Sequence, residues 1–374
     1  MNIKSLLLGS AAAVVAASTA QAADAVVVEP EPVEYVRVCD AYGSGFFFIP
    51  GTETCLKFGG YVRSVFRHTE TTETVAGVAT TTSAEDWVNR ARMQVDARSE
   101  TDWGTLRGFF RLDTDIRGSG SDAATLDRAM VTLAGFRLGQ GANYWTTNHG
   151  FAGIDLSGIV GEDGPYFGST TAATMFDYTW AADGLAITAG VQYTSAGGDV
   201  RTRTVASGNL YDYYVGMNYS ADFGTIAATY IVDGNGGLTP ASDGDAWKVS
   251  ATLDLSEFVP GGTLHAMYMD AGDDLVEHVQ AGAFGTSTET IWNVGFDMNL
   301  TDDVVLAATY YDYEGDAVTG NGEGDLWSVG LNWRPAAAPG LKVYATYFSA
   351  EDTDNATATT TETDGWALEV RRSF

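Results

Sequence analysis

Histidine, cysteine and serine side chains are the groups of this 374-residue chain that could carry nucleophilic or acid–base chemistry. The one local grouping lies in a polar stretch, where Asn148 and His149 precede Asp155 and Ser157. A hydrolase would need such a serine, histidine and acid within hydrogen-bond reach of one another. The chain contains no Gly-x-Ser-x-Gly sequence, phosphate-binding loop or paired metal-ligand motif. We therefore predict no enzymatic activity, no catalytic residue, no cofactor and no metal site.

Arginines that recur at alternate positions form a second set of functional candidates. Of the 20 lysines and arginines, 11 lie between Lys57 and Arg137. These basic residues alternate mainly with apolar residues, so in each extended strand they lie on the face opposite the apolar side chains. An arginine facing the middle of a bilayer costs about 2–4 kcal/mol, so we expect this face to border water. The arginines that we predict to form a basic wall are Arg63, Arg90, Arg92, Arg107, Arg111 and Arg128.

The longest predicted connection, residues 142–173, carries the acidic candidates Asp155, Glu162 and Asp163. Structureless loops beyond about 12–15 residues are usually functional. Carboxylates on such a loop, placed opposite a basic wall, would create a transverse field that sorts solutes by charge and size. For any one of these acids, the alternative is a solvated loop side chain.

The composition is strongly acidic, with 49 Asp and Glu against 20 Lys and Arg and a formal net charge of −29. Binding to nucleic-acid phosphates needs a basic surface, so we predict no nucleic-acid partner. Aromatic residues make up 12% of the chain, more than disordered proteins carry, so we expect a folded structure.

The elements that position these residues are predicted to be β-strands. From residue 55 onward, segments of about ten residues alternate apolar and polar side chains, as in 185–194, 246–255 and 291–300. This period is typical of a barrel with one face toward lipid and the other toward water, and also of a half-buried strand in a soluble protein. No segment after the N-terminus is apolar enough for a transmembrane helix.

The predicted connections alternate between tight turns, such as Asp183-Gly184, and long loops, such as 68–86 and 350–363. A membrane barrel keeps this alternation, whereas a Greek-key sandwich has no reason to do so. Counting gives sixteen strands, and an even number is expected of a single-chain bacterial barrel. The predicted fold class is all-β, a 16-stranded antiparallel transmembrane β-barrel over residues 55–374, with a pore-constricting long third loop at 142–173.

Residues 1–22 have the pattern of a secretory signal peptide. Lys4 supplies the positive start, Leu6–Ala17 is apolar, and Ala20-Gln21-Ala22 is a small-x-small cleavage site. The apolar stretch is shorter than the roughly 20 residues of a spanning helix. We therefore expect export from the cytoplasm.

Residues 23–54 are predicted to form a tether followed by a disulfide loop. The chain has two cysteines, Cys39 and Cys55, and an even count in an exported protein favours one disulfide. By the chain-entropy estimate, closing so short a loop contributes about 3 kcal/mol of stability.

The C-terminal strand carries a further signal. Phe374 ends the chain after Trp366, Leu368 and Val370 on the same face. A terminal aromatic residue after such a strand resembles the signal by which outer-membrane barrels are recognised for assembly. Arg372 departs from the pattern, and we expect its side chain to reach toward the interface.

The stretch from Cys39 to Arg63, CDAYGSGFFFIPGTETCLKFGGYVR, closely resembles the N-terminal block of the alphaproteobacterial outer-membrane porin family. The rest of the chain resembles that family in layout. The resemblance implies a homotrimer in the bacterial outer membrane, in contact with outer-membrane lipid and lipopolysaccharide and inserted by the outer-membrane assembly machinery. It also implies passive diffusion of small hydrophilic solutes and ions through a water-filled channel, with loop acids opposite strand arginines.

One alternative stays open from the residues alone. A soluble exported β-rich adhesin or carbohydrate-binding protein would show the same strand period. Extraction distinguishes the two interpretations, because a membrane barrel has an apolar outer surface and needs detergent, whereas a soluble exported protein does not.

Overall fold

The structure is a computed structural model that describes residues 37–117, 120–121, 124–142, 144–148, 172–194, 211–232, 245–270, 288–315, 322–355 and 357–374. The predicted signal peptide, most of the predicted tether, and the loop acids Asp155, Glu162 and Asp163 lie outside these residues.

Sixteen strands of seven residues or more form one antiparallel sheet within the described residues. They are β1 (Cys55–Val75), β2 (Val78–Thr101), β3 (Gly104–Arg117), β4 (Thr125–Leu133), β5 (Phe136–Ala142), β6 (Ala172–Ala182), β7 (Leu185–Thr194), β8 (Asp212–Ala221), β9 (Gly224–Val232), β10 (Asp245–Asp254), β11 (Thr263–Asp270), β12 (Thr288–Asn299), β13 (Val304–Gly315), β14 (Gly322–Trp333), β15 (Leu341–Asp354) and β16 (Thr359–Ser373).

The sheet closes on itself. Strands adjacent in sequence pair antiparallel, and β16 pairs with β1 from Thr359 opposite Val75 to Ser373 opposite Tyr61. Closure satisfies the backbone hydrogen-bonding groups in the spanning part of each strand, as a lipid environment requires. The predicted 16-stranded antiparallel barrel is confirmed.

The two faces of the wall differ as the side-chain alternation predicts. On β14, Trp327, Val329 and Leu331 point outward and are 38–44% exposed, whereas Ser328 and Asn332 point inward and are buried. A soluble protein rarely leaves such a continuous apolar surface uncovered. The outer face is therefore the one that suits lipid, and the polar inner face suits water.

Aromatic residues form a band on the outer face, near the strand ends that carry the long connections. Ring pairs from adjacent strands lie 5.3–5.4 Å apart between centroids, as in Trp292–Tyr310 and Trp327–Tyr347. Such a band marks a membrane interface. We assign this end to the cell exterior and the tight-turn end to the periplasm, because barrels of this class keep short turns on the periplasmic side. Carboxylates such as Asp312 lie beyond the band.

Helices are short among the described residues. They are a 3₁₀ turn at Asp40–Tyr42 and a single-turn helix α1 at Tyr144–Thr147. No helix of the described ranges is long and apolar enough to cross a bilayer.

Two predicted loops are wrong, because the strands continue beyond the membrane. The predicted loop 68–86 is instead the outer part of the β1–β2 hairpin, which runs to a two-residue turn at Ala76-Gly77. The predicted loop 350–363 is likewise mostly strand, with β15 ending at Asp354 and β16 beginning at Thr359. These segments are rich in threonine, which is β-branched and favours strands, but they have water on both faces and so show no apolar alternation.

Candidate pore-lining site

All the arginines predicted for a basic wall point to the inside of the barrel. Arg90 and Arg92 alternate on β2 with Ala91 and Met93, and Met93 is 43% exposed on the outer face. The strand register then sets these arginines beside the inward residues of β1 and β3, with Arg63 directly across from Arg90. The predicted arginines from β1 to β4 therefore form one surface.

Carboxylates on the facing strand pair with these arginines. Arg90 lies directly across from Asp115, and Arg92 directly across from Asp113. The Arg90 Nε and Nη2 groups donate to Asp115 Oδ1 and Oδ2 at 2.6 and 2.8 Å. Arg92 makes the same fork with Asp113, at 2.8 and 2.6 Å. Bidentate pairs of this kind hold both side chains in one geometry.

The pairing continues along the same surface. Asp96 accepts from Arg98 Nε at 3.0 Å and from Arg107 Nε at 3.0 Å. Asp127, next to a bulge in the β3–β4 pairing, accepts from Arg111 and lies 3.4 Å from the Nε of Arg128. Each of these carboxylates therefore serves two guanidinium groups.

At the seam between β16 and β1, three guanidinium groups surround one tyrosine ring. The guanidinium carbons of Arg63, Arg92 and Arg371 lie 5.8, 4.9 and 4.8 Å from the centroid of Tyr61. The Glu369 carboxylate is 1% exposed and lies between two of these cations. Its Oε2 is 3.7 Å from Arg63 Nη1, and its Oε1 is 2.5 Å from Arg371 Nε. The aromatic face and the carboxylate together offset the charge of these cations.

We call this whole surface the arginine ladder, from Arg63 on β1 to Arg128 on β4, with its paired carboxylates. Each of the predicted arginines has a carboxylate within 4.0 Å, so the surface alternates in charge and is less basic than expected. These carboxylates were not predicted as partners of the arginines. The position of the tight turn at Asp102 could have predicted them, because residues equally distant from that turn must face each other across the β2–β3 hairpin.

A similar pair on β5 and β6 was also missed. Arg137 lies directly across from Asp177, whose carboxylate it contacts through Nε at 3.0 Å. Tyr214 Oη donates to the same carboxylate at 2.6 Å, and the Asp177 side chain is 1% exposed. A cavity of about 480 Å³ opens beside this cluster, toward the periplasmic end, and is lined also by Tyr144 and Asn218.

The connection from β5 to β6, predicted as residues 142–173, begins against the inner wall. The backbone N–H of Tyr144 donates to Gln192 Oε1 at 2.9 Å, and Asn148 Nδ2 donates to Thr229 Oγ1 at 2.8 Å. Helix α1, between these contacts, therefore sits inside the ring of strands.

Trp145 of α1 is held most closely. It is fully buried, and its carbonyl accepts a hydrogen bond from Lys248, whose Nζ lies 4.7 Å from the indole centroid. Trp145 packs in an apolar cluster that includes the inward-facing residues Tyr214, Ile231, Met267, Met269, Ile291, Tyr311, Tyr313, Leu326 and Phe348. One part of the inner wall is therefore apolar and holds helix α1, and another part carries the arginine ladder.

The remaining predicted residues lie near the periplasmic end. Cys39 and Cys55 form a disulfide, as predicted. Phe374 is 66% exposed, and its backbone N–H and C=O both bond to Gly60 of β1 at 3.0 and 3.2 Å. The last residue thus completes the pairing that closes the barrel.

Comparison with known proteins identifies this architecture. A family model described as "Porin subfamily" matches residues 24–368. Porin Omp2a of Brucella ovis is 38% identical over 257 residues, which cover 62% of this chain and 71% of that protein. Porin Omp2b of Brucella suis is 38% identical over 259 residues, covering 62% and 67%.

Solved structures agree on the fold. The outer membrane channel DcaP of Acinetobacter baumannii superposes with a TM-score of 0.61 at 13% identity, covering 87% of this chain and 99% of that one. A variant of the Rh. blastica porin superposes with a TM-score of 0.52 at 14% identity, covering 85% of this chain and 100% of that one. Identities this low show a shared fold alone. With the family match over nearly the whole chain and the lipid-suited closed barrel, the chain belongs to the porin subfamily and is a bacterial outer-membrane channel protein.

Proposed function

We propose that the chain forms a water-filled channel through which small hydrophilic solutes and ions diffuse passively, with no enzymatic step. The observation that carries the proposal is the arginine ladder on the inner face of a closed barrel whose outer face is apolar. Charged side chains on the inside keep the lumen wet, and channel selectivity is set by such charges and by pore width. Membership of the porin subfamily favours a channel over an enzyme.

Within this channel, the arginine ladder forms one side of the narrowest part, and Asp155, Glu162 and Asp163 of the long connection form the other. The attachment of α1 to the inner wall through Gln192 and Lys248 supports an inward course for that connection.

We expect only a weak ion preference. The arginines are already paired with carboxylates, so their fields largely cancel at a distance. The net charge of −29 then favours cations mildly, by raising their concentration near the channel mouths.

The biological setting follows from the family resemblance. Residues 1–22 direct export through the periplasm, and Phe374 is read by the outer-membrane assembly machinery. The folded protein is a homotrimer whose outer surface contacts outer-membrane lipid and lipopolysaccharide. The exposed outer aromatic band, including Trp327 and Trp366, supports the lipid contact.

Liposome swelling tests passive diffusion directly. Liposomes that contain the detergent-purified protein should swell in uncharged sugars at rates that fall steadily with solute size. Protein-free liposomes are the control. Absence of swelling would contradict the proposal, and a mature protein that stays in solution without detergent would favour the soluble alternative.

The assignment of the loop acids has its own test. Replacing Asp155, Glu162 and Asp163 by their amides should shift the permeability ratio toward anions, because negative charge is removed from the narrowest part. An unchanged ratio in a variant that still conducts would overturn this assignment and leave the channel itself in place.

A further inference from the structure

The N-terminal segment Cys39–Thr54 extends the barrel sheet at its periplasmic end. Phe47 and Phe48 pair antiparallel with Leu56 and Cys55, and Val38 bridges to Phe47. This small sheet adjoins the part of β1 that runs past the end of β16. It therefore closes the bottom of the seam between the first and last strands.

The same segment also folds across the inner face of the wall. Phe46 is 4% exposed and packs with Cys39 and Cys55, which the disulfide joins. From there the 3₁₀ turn reaches β2, where Tyr42 Oη donates to Glu100 Oε2 at 3.4 Å. The segment thus lies over β1 and β2 on the lumen side.

Two cations that extend the arginine ladder toward the periplasm are covered by this segment. The Arg98 guanidinium carbon lies 5.0 Å from the Phe46 ring centroid and 5.7 Å from that of Tyr42. Lys57 Nζ donates to the carbonyl of Ser44 at 3.0 Å and lies 5.6 Å from the Phe46 ring. Lys57 is therefore held by neutral groups, whereas Arg98 is held by these two rings and by the carboxylate of Asp96.

We propose that Cys39–Thr54 is a second selectivity element of the channel, which narrows its periplasmic mouth and keeps the charges of Lys57 and Arg98 out of the solute path. This proposal rests on the proposed channel function. The disulfide fixes the segment in place, and the aromatic rings of Phe46 and Tyr42 do the covering.

Two changes should open this mouth. The double variant Cys39→Ser with Cys55→Ser frees the segment, and Phe46→Ala keeps the disulfide but removes the ring that covers both cations. Each should raise single-channel conductance and shift the permeability ratio toward anions. A unit charge exposed about 10 Å from the ion path in a water-like dielectric changes ion occupancy about twofold. Anions gain this factor and cations lose it, so exposure of the Lys57 charge in Phe46→Ala should raise the anion-to-cation permeability ratio about fourfold at low salt.

Phe47→Ala is the matched control. The Phe47 ring stacks on Phe58 at 6.1 Å, on the outer face, so its loss should leave conductance and selectivity unchanged. Heat-modified gel migration identifies the folded barrels, and only these are compared.

The outcomes separate the two proposals. If folded Cys39→Ser/Cys55→Ser and Phe46→Ala barrels conduct and select as the unchanged protein does, the segment only closes the seam and the inference is overturned. If the unchanged protein shows no channel steps, the proposed function fails instead.

Discussion

Asp113 is the carboxylate whose removal should change the arginine ladder most. It pairs bidentately with Arg92 and lies 3.9 Å from Arg90 Nη1 and 4.0 Å from Arg111 Nε. Asp113→Asn keeps the side-chain volume and one hydrogen-bond acceptor, but it adds one net positive charge to the lumen. We expect the variant to fold and to become more permeable to anions.

The magnitude follows from Coulomb's law. A unit charge acting on an ion about 8 Å away in a water-like dielectric contributes about 0.5 kcal/mol, which is a little over a twofold change in occupancy. Anions gain this factor and cations lose it, so the anion-to-cation permeability ratio should rise about fivefold. The effect should be full near 0.01 M salt, where the Debye length is about 30 Å, and nearly absent at about 1 M.

The assay is the reversal potential of single channels in a KCl gradient at low and high salt. Asp364→Asn is the matched control, because it removes the same charge from the outer face, where Asp364 accepts from Tyr347 Oη at 3.0 Å. The double variant Arg92→Gln with Asp113→Asn restores the lumen charge and should restore the ratio. Equal reversal potentials for Asp113→Asn, Asp364→Asn and the unchanged protein at low salt would refute the claim that the arginine ladder lines the ion path.

Three further variants test other parts of the structure. Asp177→Asn should lower stability by about 3 kcal/mol, because it leaves a partly buried guanidinium without its carboxylate; the readout is the temperature at which gel migration changes. Lys248→Met should loosen the helix that carries Trp145 and raise both conductance and current fluctuations, and a steady, unchanged current would rule out this holding role. At the outer rim, burial and the facing Asp312 raise the pKa of Asp325. The protonated side chain therefore favours the folded state below the ordinary carboxyl pKa, and this stabilisation is lost as pH rises through the raised pKa. Asp325→Asn should remove that pH dependence and stabilise the rim by about 0.2–1 kcal/mol at neutral pH. Melting temperatures of the variant and the unchanged protein that agree at every pH from about 3 to 7 would contradict this expectation.

The sequence predicted the barrel because the membrane imposes a period of two on each spanning strand. Trp327, Val329 and Leu331 carry this period plainly, so strand number, strand facing and the inward direction of the arginines could all be anticipated. The outer ends of β1 and β2 could not, because water on both faces removes the apolar signal there. Threonine pairs, such as Thr72 with Thr81 at 2.9 Å, join those ends instead.

The site was harder to predict than the fold, because pairing depends on register. Arg92 and Asp113 are far apart in the chain, and only the hairpin turn brings them into contact. The cover over Arg98 was also missed, since nothing in the run of phenylalanines at 46–48 indicates which ring turns inward. Buried contacts between α1 and Lys248 depend on how a long connection packs, which local patterns do not encode.

Planar-bilayer recording of the detergent-purified protein tests most directly whether this barrel is an open aqueous channel with the arginine ladder in its wall. We predict stepwise conductance increases, with a reversal potential in a KCl gradient that indicates at most a mild cation preference. A correctly folded barrel, shown by heat-modifiable migration, that inserts into the bilayer and passes no ions would contradict the account.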